Sequence, residues 1–479
     1  MPPVLANGTY VYNLSGQDGS GPYFVTGAFT VNTGVITGGE QDFSDATYYH
    51  TDTLSASGSS LSTAADGNMS VVLNTGDTSI GVNGVETLRG SIVSNARVLI
   101  SEFDSFAGAS GSIDLQTGTA AMSNGYAFSV SGVNTHGTLI AIGGILNFSS
   151  SSLSTANSTY DYNDGTGAVS LNGTFTSGSV SGPDSFGRVS LTLTPNSGTV
   201  AQFILNGYMV NPNRIWLAES QSDALGADMG GAALGQGANT GNFTQGGVAG
   251  TTYVYGAGGE DQNGFLQIAG TFVLNSNNTV GGAFAMTDVT TSGTSTYFGE
   301  SATSGGTWSV GSNGRVYISG ATNTVEPNPL AFTLYLDGNG NALELGVDTF
   351  EATAGTGYLQ QNNPVAPAAG SYAMRGQGTA VLTSPSGNFG WGAAGPVTFD
   401  ASADLSGFGD FAVQGLPATA DVTLSGTTNS GSGTMIVTGI NQGTQGSVTL
   451  NYFTIDATRS LALETDGLQL GLVIFEGVQ

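Results

Sequence analysis

From residue 8 to residue 116, apolar and β-branched residues alternate with polar ones in short runs, and clusters of Gly, Asn, Asp and Ser separate the runs. The runs read "TYVYNLS", "YFVTGAFTVN", "VITGGEQDF", "YYHTDTLSAS", "NMSVVLN", "GVETLRGS", "ARVLISEF" and "SGSIDLQ". A period of two puts successive side chains on opposite faces, so each run predicts a strand; the 3.6-residue period of a helix is almost absent. Connections such as "SNGR" and "ADGN" are hairpin turns, because Asn-Gly and Asp-Gly tolerate positive φ at both central positions. Sequential hairpins give an up-and-down antiparallel meander. About eight such strands can close into a small β-barrel, which removes the sheet edges that would otherwise recruit other chains; the alternative is a β-sandwich. Glycine inside strands, as in "GAF" and "GTF", suits a barrel wall that bends sharply.

The same cadence returns three more times. Four segments open on a Gly/Ser/Thr-Tyr step, and their lead tyrosines, Tyr10, Tyr126, Tyr253 and Tyr372, are 116, 127 and 119 residues apart. A glycine opens the next strand seventeen residues after the tyrosine in three copies (Gly27, Gly143, Gly270); in the fourth the counterpart, Gly395, lies 23 residues on, which marks an insertion. Each copy then carries a turn-then-strand, "DGNMSVVL", "SFGRVSLTL", "SNGRVYISG" and "GSGTMIVTG", followed by an acidic strand. The glutamates of that strand, Glu102, Glu219, Glu344 and Glu464, are 117, 125 and 120 apart. A unit of about 120 residues is far longer than a solenoid repeat and predicts a closed domain with its own core. The expected organisation is all-β, four tandem barrels over residues 1–117, 118–240, 241–362 and 363–479. The linker "QGANTGNFTQGGVAG" is flexible by composition, and "QNNPVAPAAG", with two prolines, is stiffer.

Composition narrows the chemistry. Charged residues make up 9% of 479, with 34 Asp and Glu against 7 Lys and Arg, a formal net charge of −27. All seven basic residues are arginine. Nucleic acids and anionic membranes need cations to replace counterions, so neither is a partner for this chain. The 23 Phe and 17 Tyr, with abundant β-branched residues, argue for a folded chain in spite of 77 glycines. With no cysteine there is no disulfide framework, thiolate nucleophile or sulfur-built zinc site. No run of about 18 apolar residues predicts a membrane-spanning helix. The start "MPPVLANGTYVY" lacks the regions of a signal peptide, and a surface of Thr, Ser, Asn and Gly without lysine suits an extracellular protein whose signal has been removed.

Four candidate chemistries compete with structural roles. Glu102 and Asp104 point to one strand face and could be offered as a glycosidase pair, yet the second acid drifts: Asp466 is two after its glutamate, while Asp223 and Asp348 are four after. A strand-end carboxylate that accepts turn amides, or pairs with the Arg five residues before it (Arg97, Arg214, Arg459), explains the recurrence more simply. Calcium has no Asp-rich loop of the usual kind, although "GGEQDFSD" (38–45) and "DYNDG" (161–165) are acid-rich turns that leave a Ca²⁺ site open. His50 and His136, the two histidines, occupy non-corresponding positions, so no Ser-His-Asp set repeats. Trp216, Trp308 and Trp391 could stack on sugars, but the strands "RIWLAES" around Trp216 and "GTWSVG" around Trp308 favour inward packing. No catalytic or cofactor-binding residue is assigned, and a barrel mouth able to hold one small ligand stays open as an alternative.

The cadence of "GxY" at the head, "GxFxxN" next, "NGR/DGN" before a late strand, then "E-x-D" and "GxxxLQ" ("GSIDLQ" 111–116) resembles the tandem exported domains of uncharacterised proteins from soil bacteria. The resemblance implies secretion and a place at the cell surface, and carries over no catalytic residue. The expectation is a non-enzymatic extracellular structural or adhesive protein, self-associating as the subunit of a filament or surface layer. A glycan- or small-ligand-binding module is the first alternative, and a polysaccharide-degrading enzyme the second.

Overall fold

The computed structural model describes residues 5–220, 223–261, 264–290, 295–322, 329–361, 366–383, 386–429, 433–439, 446–465 and 469–479. Alternation decides the fold. In Arg188–Pro195 the side chains of Val189, Leu191 and Leu193 are buried, while Arg188, Ser190, Thr192 and Thr194 between them stay partly exposed. Such strands pair in sequence order into four antiparallel sheets, and three of these close into barrels. In the first, Gly8–Gln17 pairs with Pro22–Asn32 on one side and with Gly108–Leu115 on the other, which shuts the ring. The second closes where Asn124–Val133 pairs with both Leu139–Ser149 and Asp228–Gly235, and the fourth where Gly370–Thr383 pairs with both Ser386–Phe399 and Gln469–Gly477.

The third sheet departs from the expected closed barrel. It is an open sheet of nine strands whose edges are Ser295–Ala302 and Ser304–Val310, separated in sequence by Thr303 alone. In the first barrel one strand, Tyr48–Thr63, fills this place, and its ladder to the following strand already breaks between Ser55 and Ser60. The fourth strand of the unit is thus irregular in the first copy and parted in two in the third.

Two devices recur, one in all four sheets and one in three of them. The glycine of the turn-then-strand motif takes positive φ (Gly67 91°, Gly187 84°, Gly314 89°, Gly433 65°), where a side chain would be strained. Its carbonyl accepts an amide from the next strand but one to arrive: Ile92, Met209, Leu336 and Tyr452 respectively. The lead tyrosines are buried and plug one end. Tyr10 Oη lies 2.9 Å from the Asn95 carbonyl, Tyr126 Oη 2.8 Å from that of Pro212 and Tyr372 Oη 3.1 Å from that of Ala457, each two residues before an arginine of the acidic strand. Interiors are filled by side chains such as Tyr12, Phe29 and Phe43 in the first barrel, Phe128, Tyr160 and Phe203 in the second, Tyr255 stacked on Phe272 in the third, and Trp391 and Phe399 in the fourth.

The sheets group in pairs. One compact unit comprises Met1–Gln116, Val289–Thr296 and Gln361–Gln479; the other comprises Thr117–Asp288 and Tyr297–Gln360. Within the first unit, backbones touch where glycines remove the side chains: a Cβ on Gly108 would sit 2.1 Å from the Gly390 carbonyl oxygen, and one on Gly392 2.1 Å from that of Ala109. Val93, Leu99 and Ala373 form a small apolar cluster across the same contact. Within the second unit, Ala127, Ala141, Ile145 and Leu234 pack against Tyr335, Leu343, Leu345 and Val347, and Gly143 leaves room for the Tyr335 ring. The segment read as a flexible linker carries a 3₁₀ turn, Gly237–Asn239, and one helical turn, Gln245–Val248, capped by the Thr244 hydroxyl. It is tied down as well, since Gln236 Nε2 donates to the carbonyls of Asn313 and Leu336.

Candidate functional site

The acids singled out by the repeat divide into two roles. Asp104, Asp223 and Asp348 shape the turn after the acidic strand. Asp104 Oδ1 accepts the amide of Phe106 (2.8 Å), Asp223 Oδ1 those of Leu225 and Gly226 (both 2.9 Å), and Asp348 Oδ1 those of Phe350 (2.8 Å) and Glu351 (3.1 Å). Their other oxygens reach back across the barrel wall to the amides of Thr87, Ile204 and Ala331. The differing spacing is reconciled in space. The strand closes with bonds from Phe103, Ser220, Val347 and Thr465 to the carbonyls of Thr87, Ile204, Ala331 and Thr449. Against that frame Glu344 stands two residues earlier than the other glutamates, which a period of two keeps on the same face. Asp466 lies outside the described residues.

The glutamates point inward. In Arg97–Glu102, Val98 and Ile100 belong to the barrel core and Glu102 shares their face, while Leu99 packs against Ala373 outside. Glu102, Glu219, Glu344 and Glu464 are all fully buried. Burial, with the nearby charge of Asp223, pushes Glu219 up to about 11; burial and Asp348 push Glu344 to about 8; burial and Asp104 drive Glu102 well above the carboxylate range. Glu102, Glu219 and Glu344 therefore keep their protons inside the core at neutral pH. Glu464 accepts a bond from Gln469 Nε2 at 2.7 Å. The arginines do not serve them, contrary to the expected pairing. Arg97 binds Asp114 and Glu476, Arg459 binds Asp456, and Arg214 lies over the Trp216 ring.

The sequence reading missed the aspartates that join the sheets of each unit. Asp161 is fully buried and takes two bonds of 2.7 Å from Arg315, one of 2.6 Å from Tyr335 Oη and one of 2.7 Å from the amide of Asn172. Asp410, in the fourth barrel, does the same with Asn68 Nδ2 (2.9 Å), Arg89 (3.5 Å) and the amide of Asp421 (2.8 Å). Both capped residues, Asn172 and Asp421, have positive φ. The signal was present: "TYDYN" and "GFGDFAV" each set one acid among aromatics in mid-strand, where a charge needs a dedicated partner.

The first barrel carries polar side chains in its interior. Tyr12 Oη bonds to Gln41 Oε1, and Tyr23 Oη donates to Glu86 Oε1 at 3.1 Å; burial pushes Glu86 to about 8. At its mouth His50 Nδ1 lies 2.5 Å from Asp52 Oδ1 and 2.9 Å from Asp77 Oδ2. Burial raises Asp52, opposed by His50; for Asp77, burial is outweighed by the Ser79 hydroxyl and amide and by His50, which hold it below its usual value. His136 is on an exposed turn between Asn124–Val133 and Leu139–Ser149. The segment 38–45 is strand rather than turn, with Asp42 accepting the hydroxyls of Tyr49 and Thr51 and Asp45 the amide of Thr47. Asp161 and Asn163 of the second acid-rich segment are likewise in a strand, Thr159–Asn163. Trp308 and Trp391 are core residues whose indole nitrogens donate to Asn275 and Leu470; Trp216 instead faces outward, against the contact between the second and third sheets.

No family model and no curated protein matches the chain. The solved structures similar to it include a double mutant of the vaccine antigen transferrin binding protein B from Haemophilus parasuis Hp5, at 9% identity over 81% of this chain and 85% of that one, with a TM-score of 0.21. Another is intact Ap-TbpB with its N and C lobes, at 8% identity over 99% of this chain and 95% of that one, with a TM-score of 0.17.

Proposed function

We propose that the protein is a non-enzymatic structural element of the cell exterior, built to persist where proteases act, with copies of itself or surface glycans as partners. One observation carries the reading. All seven arginines, the only basic residues, lie in strands paired on their neighbours: Arg89, Arg97, Arg188, Arg214, Arg315, Arg375 and Arg459. A trypsin-like protease needs several residues of unpaired extended backbone around its cleavage point, so cleavage waits for local unfolding. The carboxylates and aromatics that might have served chemistry support the same reading, since they hold turns, cores and sheet contacts. No helix among the described residues is long and apolar enough to cross a membrane. Apolar side chains face inward and polar ones outward in strands such as Arg188–Pro195, the reverse of a lipid-facing barrel wall.

The test is native-state trypsin digestion of the intact chain beside electron microscopy of the same sample at neutral pH, with and without calcium. Survival for hours and ordered assemblies are expected. Rapid cleavage at the arginines would refute the persistence argument; dispersed monomers throughout would refute the self-association.

A further inference from the structure

We propose that the mouth of the first barrel binds one divalent first-row transition ion of the zinc class through His50 Nδ1 and the carboxylates of Asp52 and Asp77. Among the described residues these three form the group whose ligand atoms come within 4.8 Å of one another. They arrive from separate places: His50 and Asp52 from Tyr48–Thr63, on one face two residues apart, and Asp77 from the loop before Val85–Ser94.

Ordinary hydrogen bonding leaves this arrangement incomplete. Two carboxylate oxygens crowd one imidazole nitrogen, and Nδ1 carries at most one hydrogen. Asp77 Oδ2, although 2.9 Å away, is buried and makes no hydrogen bond. Asp52 is only 6% exposed, and its Oδ2 completes no well-formed hydrogen bond, although Gln41 lies close enough to stabilise its charged form. A buried carboxylate oxygen with no partner is costly, and a cation at the convergence point serves both acids at once. Two carboxylates and a neutral imidazole carry the charge that balances a divalent ion.

Two of the three ligands, His50 and Asp77, are aimed by a second contact. The Tyr48 ring stacks on His50 at 5.5 Å and 23°. Ser79 holds the other oxygen of Asp77 through its amide (2.9 Å) and hydroxyl (2.6 Å), turning Oδ2 toward the imidazole. Metal ligands are oriented in this way, and the arrangement survives loss of any single contact poorly. Bonds of about 2.0–2.2 Å to nitrogen and oxygen would spread the three donor atoms by under about an ångström. The nitrogen donor and the small ligand number favour a zinc-class ion over calcium, which takes six to eight oxygens. The His50 side chain is 45% exposed, so the remaining coordination positions open to solvent.

The experiment is calorimetric titration of untagged, chelator-stripped full chain with ZnCl2, followed by Co2+ absorption spectroscopy. One saturable site is expected, with a Co2+ visible band of a nitrogen-and-oxygen low-coordinate site. His50→Ala and Asp77→Asn should each weaken binding at least tenfold, and His136→Ala should leave it unchanged. Thermal melts of the apo variants report whether each is folded, and His136→Ala, on an exposed turn, should match the parent. Equal uptake by His50→Ala, or heat that never saturates, would assign the ion to the general acidic surface and overturn the proposal, as would a preference for Ca2+ over Zn2+.

Discussion

The chain should lose stability as pH rises through neutrality, and Glu344→Gln should remove a measurable share of that loss. Glu344 is fully buried, and burial with the charge of Asp348 moves its pKa from 4.5 to about 8. Between those values the folded state keeps a proton that the unfolded chain releases, so unfolding is favoured as pH increases. The stabilisation is complete below 4.5, declines from there, and is fully lost once pH passes the folded value near 8. Each pH unit in this window costs about 1.4 kcal/mol, hence roughly 3 kcal/mol by pH 7 for this one side chain. Glutamine has nearly the same shape and no proton to lose, so its buried amide adds a constant offset and no slope. In a Trp391→Phe background the remaining tryptophans, Trp216 and Trp308, both report on the second compact unit. Urea unfolding followed by their fluorescence at pH 5, 6, 7 and 7.5 should give a difference between Gln and Glu proteins that grows by roughly 1 kcal/mol or more per unit. Parallel pH dependences would refute the reasoning, because they would mean that Glu344 is ionised and compensated in the folded barrel.

Three other outcomes follow from the sheet contacts. Gly392→Val places atoms where the Ala109 carbonyl already sits, 2.1 Å from the new Cβ, and should destabilise the first unit by about 1–3 kcal/mol, read by Trp391 fluorescence during unfolding. Asp161→Ala leaves the Arg315 guanidinium, 13% exposed, without its carboxylate and should cost about 3–5 kcal/mol in the second unit, while Asp184→Ala on an exposed turn serves as the mild control. A chain truncated after residue 361 lacks the fourth barrel, so Leu99 and Val93 are uncovered and Arg97 loses Glu476; hydrogen exchange in Arg97–Glu102 should accelerate while Arg214–Glu219 keeps its protection.

Much of the architecture was legible because it rests on local chemistry. Three of the four lead tyrosines, the four left-handed turn glycines and the acidic strand recur since each performs the same act in its sheet, and a period of two told which face was core. The strand-end acids were read correctly as turn ligands only for the aspartates. The glutamates escaped because nothing local tells whether an inward carboxylate near a strand end reaches solvent; that depends on how far the barrel tapers above it. The joint made by Asp161 with Arg315 was beyond a one-repeat reading for a different reason. Its partners come from separate copies, 154 residues apart, and repeats suggest equivalence where the fold uses them as unlike halves of a contact.

The sheet contacts nevertheless leave a mark on single strands. A barrel strand facing solvent buries every second residue, as Arg188–Pro195 does, but one covered by a neighbouring barrel is buried on both faces and must be apolar or small at consecutive positions. Leu330–Leu336 reads "LAFTLYL" and is buried throughout; Leu139–Ser149 opens "LIAIGGIL", eight buried residues in succession; Gly108–Leu115 begins "GASGSID", also buried without a break. The first two supply Tyr335, Ala331, Ala141 and Ile145 to the contact of the second unit, and the third supplies Gly108 and Ala109 to that of the first. Loss of alternation therefore separates covered walls from exposed ones. It also separates them chemically: where two walls meet backbone to backbone the outward residue is Gly or Ala, and where a cavity between them must be filled it is Tyr, Leu or Ile. The abundance of glycine in this chain, which by composition alone might be taken for looseness, thus serves in part the opposite end, allowing barrels to approach until their main chains touch.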